Sequence, residues 1–520
     1  MTATVSGEAR IRGKLGRSLS VGLVGMSGHL VDVEAHLANG VPGFVIVGLP
    51  DASLAEARDR VRAAMSCSGL RLPQRRITVN LAPASLPKRG SVFDVSIAVA
   101  ILAAGLVVDP ERAATTVCLG ELGLDGRVHP VRGVLPAVSA AMASGPARII
   151  VPEQNAAEAR LVPGAEIIGV NSLLEVAARL GADVEPPAPE AVAPPGAPVA
   201  RPAHRAPDLA DVVGQHEARH ALEIAAAGGH HLFMVGAPGT GKTMLAQRLS
   251  TILPDLNDEH AVEVTAIHSL AGTLDASAGL IRRPPFQSPH HTATAAALVG
   301  GGSGLPRPGA VSLAHRGILF LDEVPEFAGR VLQTLRQPIE AGELTIHRSG
   351  GVARYPARFQ LVMAANPCPC GKALDDCGCT SLVQRRYFSR LSGPLLDRVD
   401  LHCHVSPTGI GTLHGTGGES SAAVAQRVAE ARRAAAERLR GTEWTLNSQV
   451  PGSWLRERWA ADPKILQPLH NAISLGHISM RAADRVARVA WTMADLAGRV
   501  SPGREEIDAA LAMRSVGSMR

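Results

Sequence analysis

Gly236-Ala237-Pro238-Gly239-Thr240-Gly241-Lys242-Thr243 meets the phosphate-loop pattern G-x-x-x-x-G-K-[ST] at every fixed position. The apolar run His231-Leu232-Phe233-Met234-Val235 before it reads as a buried parallel strand. Met244-Leu245-Ala246-Gln247-Arg248-Leu249 after it reads as the first turns of a helix. The glycines let the backbone wrap a polyphosphate, and amides at the helix start point at negative charge. In that setting Lys242 reaches the β- and γ-phosphates of ATP and Thr243 holds Mg2+.

Working outward, 520 residues predict more than one domain. Apolar residues make up 46% and aromatics 3%, so the cores are aliphatic. A net charge of +5 permits a nucleic-acid partner without requiring one. Seven cysteines are too few for a disulfide scaffold. No segment has the basic end, apolar stretch and cleavage site of a secretory signal. The longest mostly apolar run, Val95 to Val108, is short for a membrane span and suits a buried helix. The expectation is a soluble, cytoplasmic protein without a membrane partner.

Four units are expected. Residues 1–182 alternate strand-like and helix-like segments and predict an α/β or α+β domain. Its strands are Val21–Gly25, Leu30–Ala35, Phe44–Gly48, Ile77–Leu81 and Ala147–Pro152. Its helices cover Ala52–Ser66, with Arg58, Arg60 and Arg62 on the polar side, and Val95–Leu106. Residues 183–207 carry eight prolines and read as an extended linker. Residues 208–404 hold the phosphate loop, preceded by a helix from Glu217 to Ala227. Residues 405–520 read as helical beyond a Gly/Thr-rich loop from Pro407 to Gly418, with Ala422–Leu439 and Arg481–Leu496 at helical spacing.

Gly317-Ile318-Leu319-Phe320-Leu321-Asp322-Glu323 is the second chemical signal. It reads as a buried strand with two carboxylates at its C-terminal end, where open α/β sheets bind ligands. Asp322 fits the acid that holds Mg2+, and Glu323 the base that orients the attacking water. Leu361-Val362-Met363-Ala364-Ala365-Asn366 is a third apolar strand, ending in an amide suited to sensing a γ-phosphate.

Cys368, Cys370, Cys377 and Cys379 are spaced C-x-C-x6-C-x-C. That spacing leaves two readings open, a tetrahedral zinc site or reduced thiols in a loop that Asp375 and Asp376 mark as exposed. His230-His231, His290-His291, His402 and His404 read as turn or core histidines, without metal.

Several longer segments carry a resemblance. Arg283-Pro284-Pro285-Phe286-Gln287-Ser288-Pro289-His290-His291-Thr292, Gly300-Gly301-Gly302-Ser303, Pro306-Arg307-Pro308-Gly309, Ser312-Leu313-Ala314-His315 and Arg390-Leu391-Ser392-Gly393-Pro394-Leu395-Leu396-Asp397-Arg398-Val399-Asp400 resemble the magnesium-chelatase-like AAA+ ATPases. Leu37-Ala38-Asn39-Gly40-Val41-Pro42-Gly43-Phe44, Val47-Gly48-Leu49-Pro50-Asp51 and Asn80-Leu81-Ala82-Pro83-Ala84 look like the ComM/YifB branch. The likeness covers nearly the whole chain except the linker. It implies a P-loop AAA+ core, a C-terminal helical lid and a homo-hexameric ring. It puts Asn366 at sensor 1, Arg398 at the arginine finger, with Arg390 the lesser candidate, and Arg481 at sensor 2. In this branch the four cysteines follow sensor 1 in a recurrent loop. The first unit is similar to the Lon protease domain, of ribosomal-S5-domain-2-like fold. Val92 and Leu135 stand where Lon has its serine and lysine, with Ser91 one position away, so no peptidase activity is expected.

The resemblance implies an ATP-driven motor on DNA, serving branch migration or unwinding in recombination or natural transformation. Arg10, Arg12, Lys14, Arg17, Arg385 and Arg386 are candidates for phosphate contacts. The alternative is a chelatase-type ATPase that remodels a protein partner for metal insertion.

Overall fold

The computed structural model describes residues 15–47, 52–86, 88, 90–146, 148–185, 207–302, 306–348, 351–372, 377–391, 393–407, 418–458 and 464–515. Most of the linker, the loop at 408–417, Asp375, Asp376, Arg10, Arg12 and Lys14 lie outside the described residues.

The first unit is built on a mixed seven-stranded sheet. Strands β1 (Leu15–Val24) and β2 (Ser27–Ala38) pair antiparallel, with Leu19 opposite Asp32. In β2 every second residue, Val31, Val33, Ala35 and Leu37, points into the core, as its alternation predicts. Beyond them come β3 (Gly43–Val47), helix α1 (Ala52–Cys67), β4 (Arg76–Ala82), helix α2 (Asp94–Ala104), β5 (Val117–Cys118), helix α3 (Val134–Ala143), β6 (Arg148–Pro152), helix α4 (Glu153–Ala159) and β7 (Glu166–Val170). The strand order is β3-β4-β2-β1-β5-β6-β7.

Every residue of α2 is buried, which a helix apolar on all sides requires. Gly16 of β1 lets α2 approach, since a Cβ there would strike the Ala100 carbonyl. Arg60 departs from expectation. It turns inward from α1 and clamps the buried Asp94 with bonds of 2.7 and 3.0 Å. Burial pushes the Asp94 carboxyl up to about 6, against the pull of Arg60. Val92 and Leu135 pack against the apolar cores.

The second unit contains helix α5 (His216–Gly228), β8 (Leu232–Val235), α6 (Lys242–Ile252), α7 (Asp258–Ala271), β9 (Phe286–Gln287), β10 (Ile318–Leu321), the hairpin β11 (Glu343–Arg348) and β12 (Gly351–Pro356), β13 (Gln360–Ala365), α8 (Ser381–Phe388) and β14 (Leu401–His404). Five of its strands form a parallel sheet in the order β9-β10-β13-β8-β14. The apolar runs read from the sequence are continuous because both faces are covered. Leu232, Met234, Ile318 and Phe320 enter one core, while Phe233, Val235, Leu319 and Leu321 enter the other.

Among the described residues, 418–515 hold helices and no strand. The longest are α9 (Ser421–Arg438), α10 (Met480–Leu496) and α11 (Arg504–Ser515). Val424, Val428, Trp491 and Ile507 join the core beneath the phosphate-loop sheet.

The first unit docks on the second through α7 and the hairpin. Glu158 of α4 accepts from the Leu135 amide at 2.9 Å and from the Ser269 hydroxyl of α7. Gly25, between β1 and β2, lies so close to Arg354 of β12 that a Cβ would come within 2.8 Å of the Arg354 carbonyl. No helix among the described residues is long and apolar enough to cross a membrane.

Candidate nucleotide-binding site

The phosphate loop leaves the carboxyl end of β8, which is hydrogen-bonded between β13 and β14 in the five-stranded sheet. The Gly236 amide donates to the Ala365 carbonyl of β13 at 3.2 Å, fixing the loop's entry. Gly239 and Gly241 have φ of 78° and 90°, the left-handed region that glycine occupies without strain. Lys242 begins the eleven-residue helix α6.

The Lys242 ammonium is nearly buried and donates to Gly236 O at 2.7 Å, Ala237 O at 2.9 Å and Asn366 Oδ1 at 3.1 Å. Burial lowers its pKa, while Asp322 and Glu323 oppose that shift. The Thr243 hydroxyl donates to Asp322 Oδ2 at 2.6 Å, across 79 residues of sequence. Asp322 Oδ1 accepts from the Glu323 amide at 2.9 Å. Glu323 itself is left-handed, with φ 49° and ψ 44°, an uncommon conformation for a residue with a side chain. Five residues expected from separate segments therefore converge: Lys242, Thr243, Asp322, Glu323 and Asn366.

The site also includes two groups to which the sequence assigned no role. His291 Nδ1 lies 3.4 Å from Glu323 Oε2. The Tyr387 hydroxyl of α8 meets the Asn366 backbone, and burial pushes it up to about 12. No spacing rule links either to the acid pair. For His291 the available signals were the histidine pair after the second parallel strand and its place in the Arg283–Thr292 segment.

The arginines are placed differently. Arg398 pairs with Glu340 and the Pro394 carbonyl. Arg390 pairs with Glu326 at 3.1 Å. Arg481 is exposed at the start of α10. Among the described residues none of the three bonds to the phosphate loop or the acid pair. One turn beyond Arg481, Arg485 donates to Asp400 Oδ1 at 2.6 Å, and Asp400 Oδ2 accepts from the His231 amide at 3.0 Å. Burial alone would raise the Asp400 pKa, but His230 and Arg485 outweigh it and hold the carboxylate well below its usual range.

The four cysteine sulfurs all lie within 4.8 Å of one another. Cys377 Sγ is 3.3 Å from Cys368 Sγ and 3.5 Å from Cys370 Sγ. Cys368 is buried and its thiol is pushed up to about 12, whereas hydrogen bonds from the Cys379 backbone and Cys368 bring Cys377 down to about 6.

The donor set at the phosphate loop suits a magnesium nucleotide. A hydroxyl and a carboxylate, hard oxygens in mutual contact, fit Mg2+. Loop amides at a helix start fit phosphates.

Comparison with known proteins agrees with that chemistry. Residues 208–413 match the family described as magnesium chelatase, subunit ChlI. Residues 33–155 match subunit ChlI of Mg-chelatase, and residues 418–514 its C-terminal part. An uncharacterized protein of Mycobacterium tuberculosis is 50% identical, covering 97% of this chain and all of its own. The competence protein ComM of Haemophilus influenzae is 41% identical over 95% of this chain and 96% of its own. The YifB protein of Escherichia coli is 40% identical with the same coverage.

Proposed function

Because this chain belongs to the magnesium-chelatase-like ComM/YifB family and is an AAA+-type ATPase of that kind, we propose that it works as an ATP-driven ring motor on DNA. The observation that carries the ATPase reading is the convergence of Lys242, Thr243, Asp322, Glu323 and Asn366 at one end of a parallel sheet. The DNA reading rests on the likeness to the ComM branch and on the exposed Arg385 and Arg386 of α8. Arg17 supports it less, since it is paired with Glu34 at 2.9 Å.

We read residues 1–182 as a Lon-like unit without peptidase activity, 208–404 as the ATPase core and 405–520 as its lid. In the proposed cycle Lys242 leaves the loop carbonyls to bind the β- and γ-phosphates. Thr243 and Asp322 would hold Mg2+, which would supply neutralisation of phosphate charge. Glu323 takes the proton of the attacking water, and Asn366 keeps Lys242 and that water in register. Arg398 serves the neighbouring subunit in the homo-hexamer, and Arg481 closes from the lid.

Glu323→Gln tests the assignment. Turnover is expected to fall by about 10²–10⁴-fold with nucleotide affinity kept; undiminished turnover would remove Glu323 from the reaction. The DNA reading is tested by ATPase rates with single-stranded and branched DNA at low and moderate salt. Stimulation that fades with salt supports it. The family description favours a second reading, a chelatase-type remodelling ATPase. That reading predicts a rate indifferent to DNA and a co-purifying protein partner.

A further inference from the structure

We propose that Cys368, Cys370, Cys377 and Cys379 bind one zinc ion, and that this ion braces the phosphate loop from outside. A single tetrahedral zinc with bonds of about 2.3 Å sets its sulfurs about 3.8 Å apart. Cys377 Sγ lies 3.3 Å from Cys368 Sγ and 3.5 Å from Cys370 Sγ, and all four sulfurs fall within 4.8 Å of one another. Sulfurs this close together can share a single ion, and a span of 4.8 Å leaves no room for two irons bridged by sulfide. Thiolate sulfur selects zinc over the hard cation at the nucleotide site.

The surroundings suit the bound form. The Gln384 amide donates to Cys377 Sγ at 3.6 Å, a hydrogen bond that orients a ligand without competing for the metal. Four thiolates on Zn2+ leave a net charge of −2, and the thiol protons pass to solvent on binding. Lys372, Arg385 and Arg386 flank the cluster in sequence and are exposed.

The position gives the ion its purpose. Cys368 follows Asn366, whose side chain holds Lys242, by two residues. Gly371, in the turn after Cys370, lies against the phosphate loop itself, since a Cβ there would come within 3.3 Å of Pro238 Cγ. Zinc thus fixes a turn that touches the nucleotide site at Asn366 and at Pro238. Without the ion, the turn keeps the bond from the Gly371 amide to the Cys368 carbonyl at 3.0 Å but loses the crosslink between its two cysteine pairs.

The metal count stands apart from the nucleotide reading. Full-length protein purified without added metal is assayed for zinc by elemental analysis, beside Cys370→Ser and the quadruple serine variant. One zinc per chain, lost in the quadruple variant, is expected. Less than a tenth of a zinc per chain, with added Zn2+ bound no more tightly than by the quadruple variant, would overturn the site. Cobalt exchanged into the wild type should give the visible absorption of tetrahedral thiolate cobalt. An octahedral spectrum would also overturn it. The bracing role is read by fluorescent ATP analogue binding before and after zinc is stripped with a thiol reagent and chelator, then restored by reduction and zinc. Affinity should fall at least fivefold and recover. Unchanged affinity in fully stripped, folded protein would refute the brace while leaving the metal site intact.

Discussion

At the scale of single residues, the site shows which side chains a motif specifies and which only a fold can deliver. Lys242, Thr243 and Asp322 were legible because the chemistry of a magnesium nucleotide fixes both residue type and place on the sheet. His291 was not, because its distance to Glu323 depends on how two strands and their following loops are stacked. It lies beside a half-exposed carboxylate, and the prediction is that it positions that group. His291→Ala is expected to lower kcat by about tenfold with little change in KM, and His291→Asn to restore part of it; a steady-state titration against ATP separates these from a folding defect. His231 makes a different prediction. Its Nδ1 accepts from the Leu361 amide at 2.9 Å, and burial pushes its pKa down to about 4. The unfolded chain takes up this proton near pH 6.5, so the folded state loses stability as pH falls from 6.5 to 4. Melting temperatures across that range should show the wild-type advantage over His231→Ala shrinking on acidification.

At the scale of elements, most boundaries followed from apolar period. The helix read as Ala422–Leu439 is α9 at Ser421–Arg438, and that read as Arg481–Leu496 is α10 at Met480–Leu496. The hairpin β11–β12 was overlooked although its signal is present: Leu344 and Ile346 alternate before Ser349-Gly350-Gly351, a turn sequence. Helix α7 was overlooked despite an Asn257 cap and Gly272 terminus, because its apolar residues do not gather on one face. What the sequence could not show is how α9 and α10 are locked together. Arg438 of α9 donates to Asp495 of α10 at 2.8 Å and to Asn447 at 2.8 Å, and stacks 4.5 Å above the Trp491 ring. Asp495 is almost fully buried, so Arg438→Ala leaves a carboxylate without its cation. The expected cost is about 3–5 kcal/mol, read by denaturant unfolding of the whole chain. Arg438→Ala with Asp495→Asn should cost less than the sum of the two.

At the scale of the whole molecule, four apolar cores join segments that are far apart in the chain. The central sheet shares one core with the helical region and the other with the hairpin and α7, on which the first unit rests. Among the described residues, Arg398 and Arg481 remain outside the hydrogen bonds of the phosphate loop. If Arg398 serves a neighbour, Arg398→Ala and Lys242→Ala proteins, each inactive alone, should regain ATPase activity when mixed. The fraction recovered should follow the number of junctions that pair an intact loop with an intact arginine. Mixtures as inactive as their components would place Arg398 in its own subunit's chemistry or in none. The seven-stranded sheet was legible only as alternating strands and helices, since its order β3-β4-β2-β1-β5-β6-β7 is set by pairing between segments far apart in sequence.

The contact at Gly25 has a mechanical corollary. Backbone lies against backbone there, with no flexible side chain between to absorb displacement. A side chain at position 25 could be placed only by moving the Arg354 backbone, so the fit of the first hairpin's tip against β12 depends on glycine at this turn.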